Sequence, residues 1–555
     1  TCSPSSPSLR LEGPLAPPLQ PSASLSLSSL ACSVCRTPLA RTASYCEPAR
    51  TSLSSDRNFS HPYPSLQSRL LRMVARNMIA RATATHEDLS MPFHVGATQY
   101  TQQFANLYFS RLKQLAPVAM ASARAAWGAS LPFVKTLDAE VGELVGVVGT
   151  LFAELGGKPD IMKEVTRDIL AEKPVEQTNG LYGTGEGDTF YLEDDSGRIA
   201  LSGPGLSCSN FPFATGAVIA VRGKLEPDGT LHIDEVCLPG APPAARTAID
   251  TSIAIAADKG SGDSHAEGDK YVALVSGLHI GASEVEPLPL MLLTDYLTGY
   301  VGSPADLAVQ ASIVRLIICG NSTVDTSGNG TAAGAASVDA LKKLERSEQR
   351  SLAECMSSLD SFLTSVSAAM PVDLMPGTTD PCNYLLPQQP LHPCMLPQAS
   401  RLSSLSLRTN PYACVVDGVP ILGTSGQPIE DFLKYAQTGS ETSGVNAQDH
   451  ALSALRRSLE LRHLAPTAPD TLGCYPFATS DPFVMETSPS LYFAGNQPGY
   501  ATELACAEGG EPVRLVTVPD FSSTHSIVLV NLRTLGAHQV AFGAGAASET
   551  TTVEV

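Results

Sequence analysis

The chain has 555 residues, 43% of them hydrophobic, which is length and apolar content enough for two or three domains with cores of their own. No run approaches the roughly eighteen consecutive apolar residues of a membrane span, and no charged segment leads into a compact apolar stretch of the kind that directs export. The formal net charge of -19 is unevenly spread: residues 1–86 carry nine Arg, no Lys and three acidic residues, a balance of +6 that leaves -25 for the remainder. So acidic a body repels a phosphate backbone, and any work on DNA is expected to go through partners.

Thirteen cysteines stand mostly alone in apolar segments, as do Cys319, Cys414 and Cys474. They read as buried thiols of a reducing compartment, without a disulfide framework.

Residues 1–86 are rich in Ser, Pro, Leu and Arg without sustained periodicity, a composition that cannot offset ordering entropy, so the segment is expected to be disordered. It opens on Thr1, which suits a fragment or a gene-model extension with Met73 or Met78 as the start; an Arg- and Ser-rich, acid-poor stretch also suits a transit segment. Cys32, Cys35, Cys46 and His61 could be drawn as a zinc site, but the second pair lacks ligand spacing.

Residues 87–135 are expected to form a helical entry segment, since Phe104, Leu107, Tyr108, Leu112 and Leu115 recur at helical spacing between Gln99 and Trp127; Pro117 is expected to interrupt the run. From 136 to 240 the pattern shifts to short alternating segments. Val145–Phe152, Thr189–Leu192, Arg198–Leu201, Ala217–Leu225 and Leu231–Cys237 read as strands, with turns at Asp194-Asp195-Ser196-Gly197 and Pro227-Asp228-Gly229. Five strands with a helical stretch at Asp160–Leu170 suit an OB barrel. Such barrels often bind single strands through basic grooves and stacking aromatics. Gly180–Gly240, however, holds nine acidic residues against Arg198, Arg222 and Lys224, which favours a docking role.

Residues 241–268 read as a linker or long loop, and 269–543 as an α/β unit. Tyr271–Ser276 and Val314–Cys319 are short apolar strands of the kind covered on both faces. Val338–Ala369 carries a helical stripe through Leu341, Leu344, Leu352, Met356, Leu359, Leu363 and Val366 that should pack on the sheet. Val372–Met375 is a strand broken at once by Pro376-Gly377, so Thr378, Thr379 and Asp380 should sit at a strand's carboxyl end, where sites form in open α/β sheets. Cys414–Gly423 reads as a hairpin turning at Asp417-Gly418, Asp449–Arg462 as an amphipathic helix, and Ser490–Ala494, Val513–Val518 and Ser526–Asn531 as late strands. Residues 544–555 look disordered.

Three proline-marked segments carry a family resemblance. They are M-P-V-D-L-M-P-G-T-T-D-P-C-N-Y-L-L-P from Met370, N-P-Y-A-C-V-V-D-G-V-P-I-L-G-T-S-G-Q from Asn410, and H-L-A-P-T-A-P-D-T-L-G-C-Y-P-F-A-T-S-D-P from His463. With M-P-F-H-V-G from Met91 they make residues 90–542 resemble the small (B) subunits of DNA polymerase delta. The resemblance implies an OB-fold barrel joined to a two-layer β-sandwich domain with flanking helices, like a calcineurin-type phosphodiesterase. It further implies a non-catalytic nuclear scaffold that binds the cysteine-rich C-terminal module of the catalytic subunit and a third subunit, meeting DNA only through the complex.

A working phosphodiesterase of this kind clamps the reacting oxygens between two ions about 3.5–4 Å apart, and needs carboxylate and imidazole ligands from several strand ends. The family's D-x-H position resembles Gly277-Leu278-His279, which keeps only the histidine. Its G-D resembles Gly320-Asn321, its G-N-H-D resembles Gly377-Thr378-Thr379-Asp380, and its G-H-x-H resembles Gly495-Asn496-Gln497-Pro498. The turns stay and most ligands are gone, so these are expected to be degenerate positions, with no metal, cofactor or catalytic residue. His279, His392 and His463 read as structural, and Asp380, which precedes a proline, as a turn organiser. No phosphate-binding Gly-Lys-Ser/Thr loop and no Gly-x-Ser-x-Gly elbow occurs. The rival readings are an active metal-dependent phosphodiesterase or nuclease, and a barrel that binds single-stranded DNA directly.

Overall fold

The structure is a computed structural model, described for residues 80–96, 101–158, 182, 188–206, 214–245, 253–254, 268–282, 286–324, 346–435, 447–543 and 551–552. Most of residues 1–86, the Asp160–Leu170 helix, the stripe positions Leu341 and Leu344, and nearly all of 544–555 lie outside these ranges.

Strands β2 (Leu144–Glu154), β3 (Thr189–Glu193), β4 (Arg198–Ser202), β5 (Val218–Leu225) and β6 (Thr230–Cys237) close into a barrel in the order β2-β3-β4-β6-β5. Alternation sends Val145, Val147, Leu151, Leu192, Ile199, Leu201, Ile219, Val221, Leu231 and Ile233 inward, so the barrel is filled by its own side chains. Helix α1 (Ala105–Trp127) covers it. Its buried face is Leu107, Arg111, Leu115, Ala119 and Ala123, one residue per turn, and Phe104 stands outside the helix and half exposed. Pro117 does not interrupt α1. It lies on the exposed face four residues after exposed Lys113, whose carbonyl loses its helical donor where water replaces it.

The second unit stacks two sheets. One runs β10 (Leu405–Leu407), β9 (Val372–Met375), β8 (Ile313–Cys319), β7 (Tyr271–Val275), β16 (Ser526–Asn531), β17 (Ala537–Ala541) and β18 (Thr551–Thr552). The other runs β1 (His86–Asp88), β11 (Tyr412–Val416), β12 (Val419–Thr424), β13 (Leu491–Gln497), β15 (Pro512–Pro519) and β14 (Ala501–Cys506). The period of two sorts each strand between layers: Val272 and Leu274 enter the core between the sheets, while Tyr271, Ala273 and Val275 enter the core under the outer helices. Those helices are α2 (Pro287–Thr298) and α4 (Arg346–Ser367); α3 (Pro304–Ser312) leads into β8. Leu359, Leu363 and Val366 put the stripe of α4 on the sheet. On the far face, α5 (Gln427–Leu433) and α6 (Ala447–Glu460) share one continuous core with the barrel. At the β11–β12 turn both Asp417 (φ 51°) and Gly418 (φ 83°) are left-handed, as a two-residue hairpin requires.

Three expectations need correction. Residues 80–86 belong to the body: Arg81 donates to the carbonyls of Gln310 (3.0 Å) and Ile313 (2.9 Å), and His86 opens β1. The start of the 241–268 linker is docked, since Pro243 and Ala244 bridge to Glu508 and Ser488. Thr551–Thr552, placed in the frayed tail, pairs with β17. Each is a short stretch without a period of its own, held by bonds to a neighbouring strand or loop.

The strand Val372–Met375 also holds a buried charge that its apolar neighbours hide. Asp373 faces the core between the sheets and is bound by Arg315 (2.9 Å to both oxygens), Arg408 (3.1 Å) and the Tyr412 hydroxyl (2.8 Å).

Candidate functional site

β7, β8, β9, β12, β13 and β15 include every parallel pair that flanks the crevice between the two sheets, and their carboxyl ends open onto it. The loops that follow meet through backbone hydrogen bonds: Gly277 to the Gly320 carbonyl (3.0 Å), His279 to the Asn321 carbonyl (3.1 Å), and Phe521 to the Ser276 carbonyl (2.8 Å). His279 (φ 42°), Asn321 (φ 55°) and Asn496 (φ 54°) are all held in the left-handed region, the kind of strain that a surrounding network must hold in place.

Here the side chains mostly bind the backbone of neighbouring loops. Asn321 accepts from the Thr379 amide at 3.3 Å. Asn496 donates through Nδ2 to the carbonyls of Ser425 (2.7 Å) and Cys319 (3.3 Å), and its own amide donates to Ser276 Oγ (2.8 Å). Asp380 is buried and accepts from the amides of Gly377 (2.9 Å), Ser322 (2.9 Å) and Thr323 (3.0 Å) and from Thr323 Oγ1 (3.2 Å). Burial pushes its carboxyl up in spite of these donors. With its acceptor sites filled by the two loops it joins, Asp380 works as a clasp between them.

The sequence reading missed Asp520. It follows β15, caps the short helix α7 (Phe521–Thr524), and places Oδ2 2.9 Å from His279 Nε2. Its carboxylate lies where a side chain at 277 would go: a Cβ on Gly277 would come within 2.5 Å of it, at φ +64°. The hydrogen bond to Asp520 raises His279 above the usual imidazole value against burial. Burial pushes Asp520 up, but hydrogen bonds from His279 and Ser522 outweigh it and hold the carboxyl below its usual value. The signal was a Pro519-Asp520 break at a strand end, the same kind as Pro376-Gly377.

Gly277, His279, Asn321, Thr379, Asp380 and Asn496 thus come together. Thr378 and Pro498 do not: both are exposed, and Thr378 lines a neighbouring cavity. Among the described residues no group of three or more His, Cys, Asp or Glu side chains could hold a metal ion. His463 lies elsewhere, buried against Asp481 at 2.9 Å, and His392 accepts from the Cys394 amide. No helix among the described residues is long and apolar enough to cross a membrane.

Comparison with known proteins covers both halves of this architecture. Residues 103–236 match the DNA polymerase delta subunit OB-fold domain, and residues 272–502 match the DNA polymerase alpha/epsilon B-subunit family. The chain is 36% identical over 465 residues to a DNA polymerase delta small subunit of Arabidopsis thaliana, covering 83% of this chain and 96% of that one. It is 34% identical to the rice (Oryza sativa subsp. japonica) small subunit, covering 83% and 98%, and 33% identical to the Drosophila melanogaster DNA polymerase delta subunit 2, covering 84% and 100%. The barrel, the stacked sheets and a likeness that spans nearly the whole of these relatives together place the chain in the DNA polymerase delta small-subunit family.

Proposed function

We propose that the chain is a non-catalytic accessory subunit of a nuclear DNA polymerase delta complex. Its barrel and sandwich would form one platform that bridges the cysteine-rich C-terminal module of the catalytic subunit and a third subunit during replication and repair synthesis. Family membership supports the accessory role. The observation that carries the non-catalytic part is the crevice: Gly277, Asn321, Thr379 and Asn496 offer no charge, Asp380 is spent on four donors, and His279 on Asp520. Two divalent ions would meet too little negative charge there to bind well. The shared core of barrel and sandwich supports the platform.

Co-expression with the C-terminal module of a polymerase delta catalytic subunit, followed by size exclusion, tests the scaffold role; separate elution would overturn it. The catalytic alternative is tested with a generic phosphodiester in Mn²⁺, where turnover no greater than in a metal-free control is expected. A labelled single-stranded oligonucleotide tests direct DNA binding, and no salt-sensitive shift is expected from so acidic a surface.

A further inference from the structure

Beside the crevice lies a cavity of about 140 Å³, walled by the loop after β9, by α5 and by residues 471–473. It is smaller than the roughly 300–1,000 Å³ of a small-molecule site. It has room for the end of one long side chain.

The two carboxylates in its wall differ. Asp431 is buried and committed, accepting from Thr471 Oγ1 (2.6 Å) and from the Tyr182 hydroxyl (3.3 Å), with Lys434 Nζ 3.9 Å away. Glu430 makes no side-chain hydrogen bond or close ion pair among the described residues, although Lys434, in the same wall, is near enough to act on it through space. By surface area Glu430 is exposed, yet the protein packed around it pushes its carboxyl up; the two agree for a carboxylate open to solvent on one side only. In the same wall stands Tyr384, half exposed.

A carboxylate with no hydrogen-bond donor, a half-exposed aromatic ring and neutral polar groups at Thr378 and Gln427 complement a planar cation, with Lys434, set beside the buried Asp431, as the one cation in the described wall. A guanidinium pairs bidentately with a carboxylate and stacks on a tyrosine, and both gains grow when the site is partly desolvated. We infer that this cavity is the seat of an arginine side chain presented by a partner polypeptide, paired with Glu430 and stacked on Tyr384. Tyr182, which precedes the barrel strand β3, reaches Asp431 in the wall, so a polypeptide seated there would lie at the seam of barrel and sandwich. The inference deepens the scaffold reading and rests on it.

The test uses the full chain and the blocked tripeptide Gly-Arg-Gly, followed by saturation-transfer NMR, which detects weak binding and needs no polymerase subunit. Failure of the pocket is therefore distinct from failure of the scaffold. Saturation of the arginine δ-methylene is expected, with the dissociation constant raised about tenfold by Glu430→Gln, as loss of a charged hydrogen bond predicts. Tyr384→Ala gives a second variant should Glu430→Gln not fold, and should weaken binding as well. The isosteric Gly-citrulline-Gly peptide is expected not to bind. Equal binding of the citrulline peptide, or unchanged arginine binding in both variants, would overturn the assignment.

Discussion

The joint between barrel and sandwich and the crevice at the strand ends both rest on polar groups, but they use them differently. At the joint, the Arg111 side chain is wholly buried and makes four hydrogen bonds: to Asp481 (2.8 Å) and to the carbonyls of Gly216 (3.0 Å), Pro466 (2.8 Å) and Ala468 (2.8 Å). One guanidinium thereby ties α1, the barrel and the 463–483 loop. In the crevice most groups are neutral and the charged pair, His279 and Asp520, is partly open to water. A desolvated charge cannot lose its partner without large cost, whereas a half-solvated pair can be remade by solvent. The joint is therefore where rigidity is vested, and side chains in the crevice are freer to change.

The sharpest way to break this contrast is at Arg111. Arg111→Met leaves the buried Asp481 with only His463 and the Phe483 amide beside it and takes the donor from three buried carbonyls, and a loss of about 3–5 kcal/mol is expected in denaturant unfolding. A loss comparable to that of a surface arginine would abolish the distinction between the two regions. Gly277→Asp, which adds a carboxylate to the crevice, forces a Cβ within 2.5 Å of Asp520 at φ +64°. It should cost about 1–3 kcal/mol and yield no Mn²⁺-dependent turnover; a stable, active variant would show that only one side chain separates this crevice from a catalyst.

Acid should act on the joint first. Burial lowers His463 to about 4, so it is neutral when folded, and stability is expected to fall as pH drops from about 6.5, the unfolded value, towards 4. His463→Gln should flatten that part of the pH profile of the melting temperature.

The smallest effect belongs to His279 and Asp520. A double-mutant cycle with His279→Asn and Asp520→Asn should give a coupling of about 1 kcal/mol or less, since the pair is partly exposed. The raised His279 contributes fully below its unfolded value and loses its contribution as pH rises through its folded one. The depressed Asp520 contributes above its unfolded value and loses its part as pH falls through its folded one. Coupling should thus peak between the two.

Much of the fold was legible because the barrel strands and the central strands of the stacked sheets alternate or are largely apolar, and because Asp194-Asp195-Ser196-Gly197, Asp228-Gly229 and Asp417-Gly418 mark turns by local chemistry alone; β14 and β17 went unread. The short edge strands β1, β10 and β18 were not legible, since three residues or fewer carry no period. In the crevice, the strand break at Pro376-Gly377 pointed to Thr379 and Asp380, because a strand end is a local event, while Gly277, His279, Asn321 and Asn496 came from the family resemblance. Asp520 escaped, because its meaning lies in standing against a glycine 243 positions earlier.

The sequence alone determined the barrel and the strand and helix periods, since these follow from residue type and near neighbours. Only the tertiary structure decided that Asp380 and Asp520 are consumed by other side chains and backbone, that Arg111 holds the halves together, and that Glu430 has no side-chain hydrogen bond among the described residues. The reason is physical: whether a charge is free depends on which distant groups the fold brings within hydrogen-bond reach, and no local pattern encodes that.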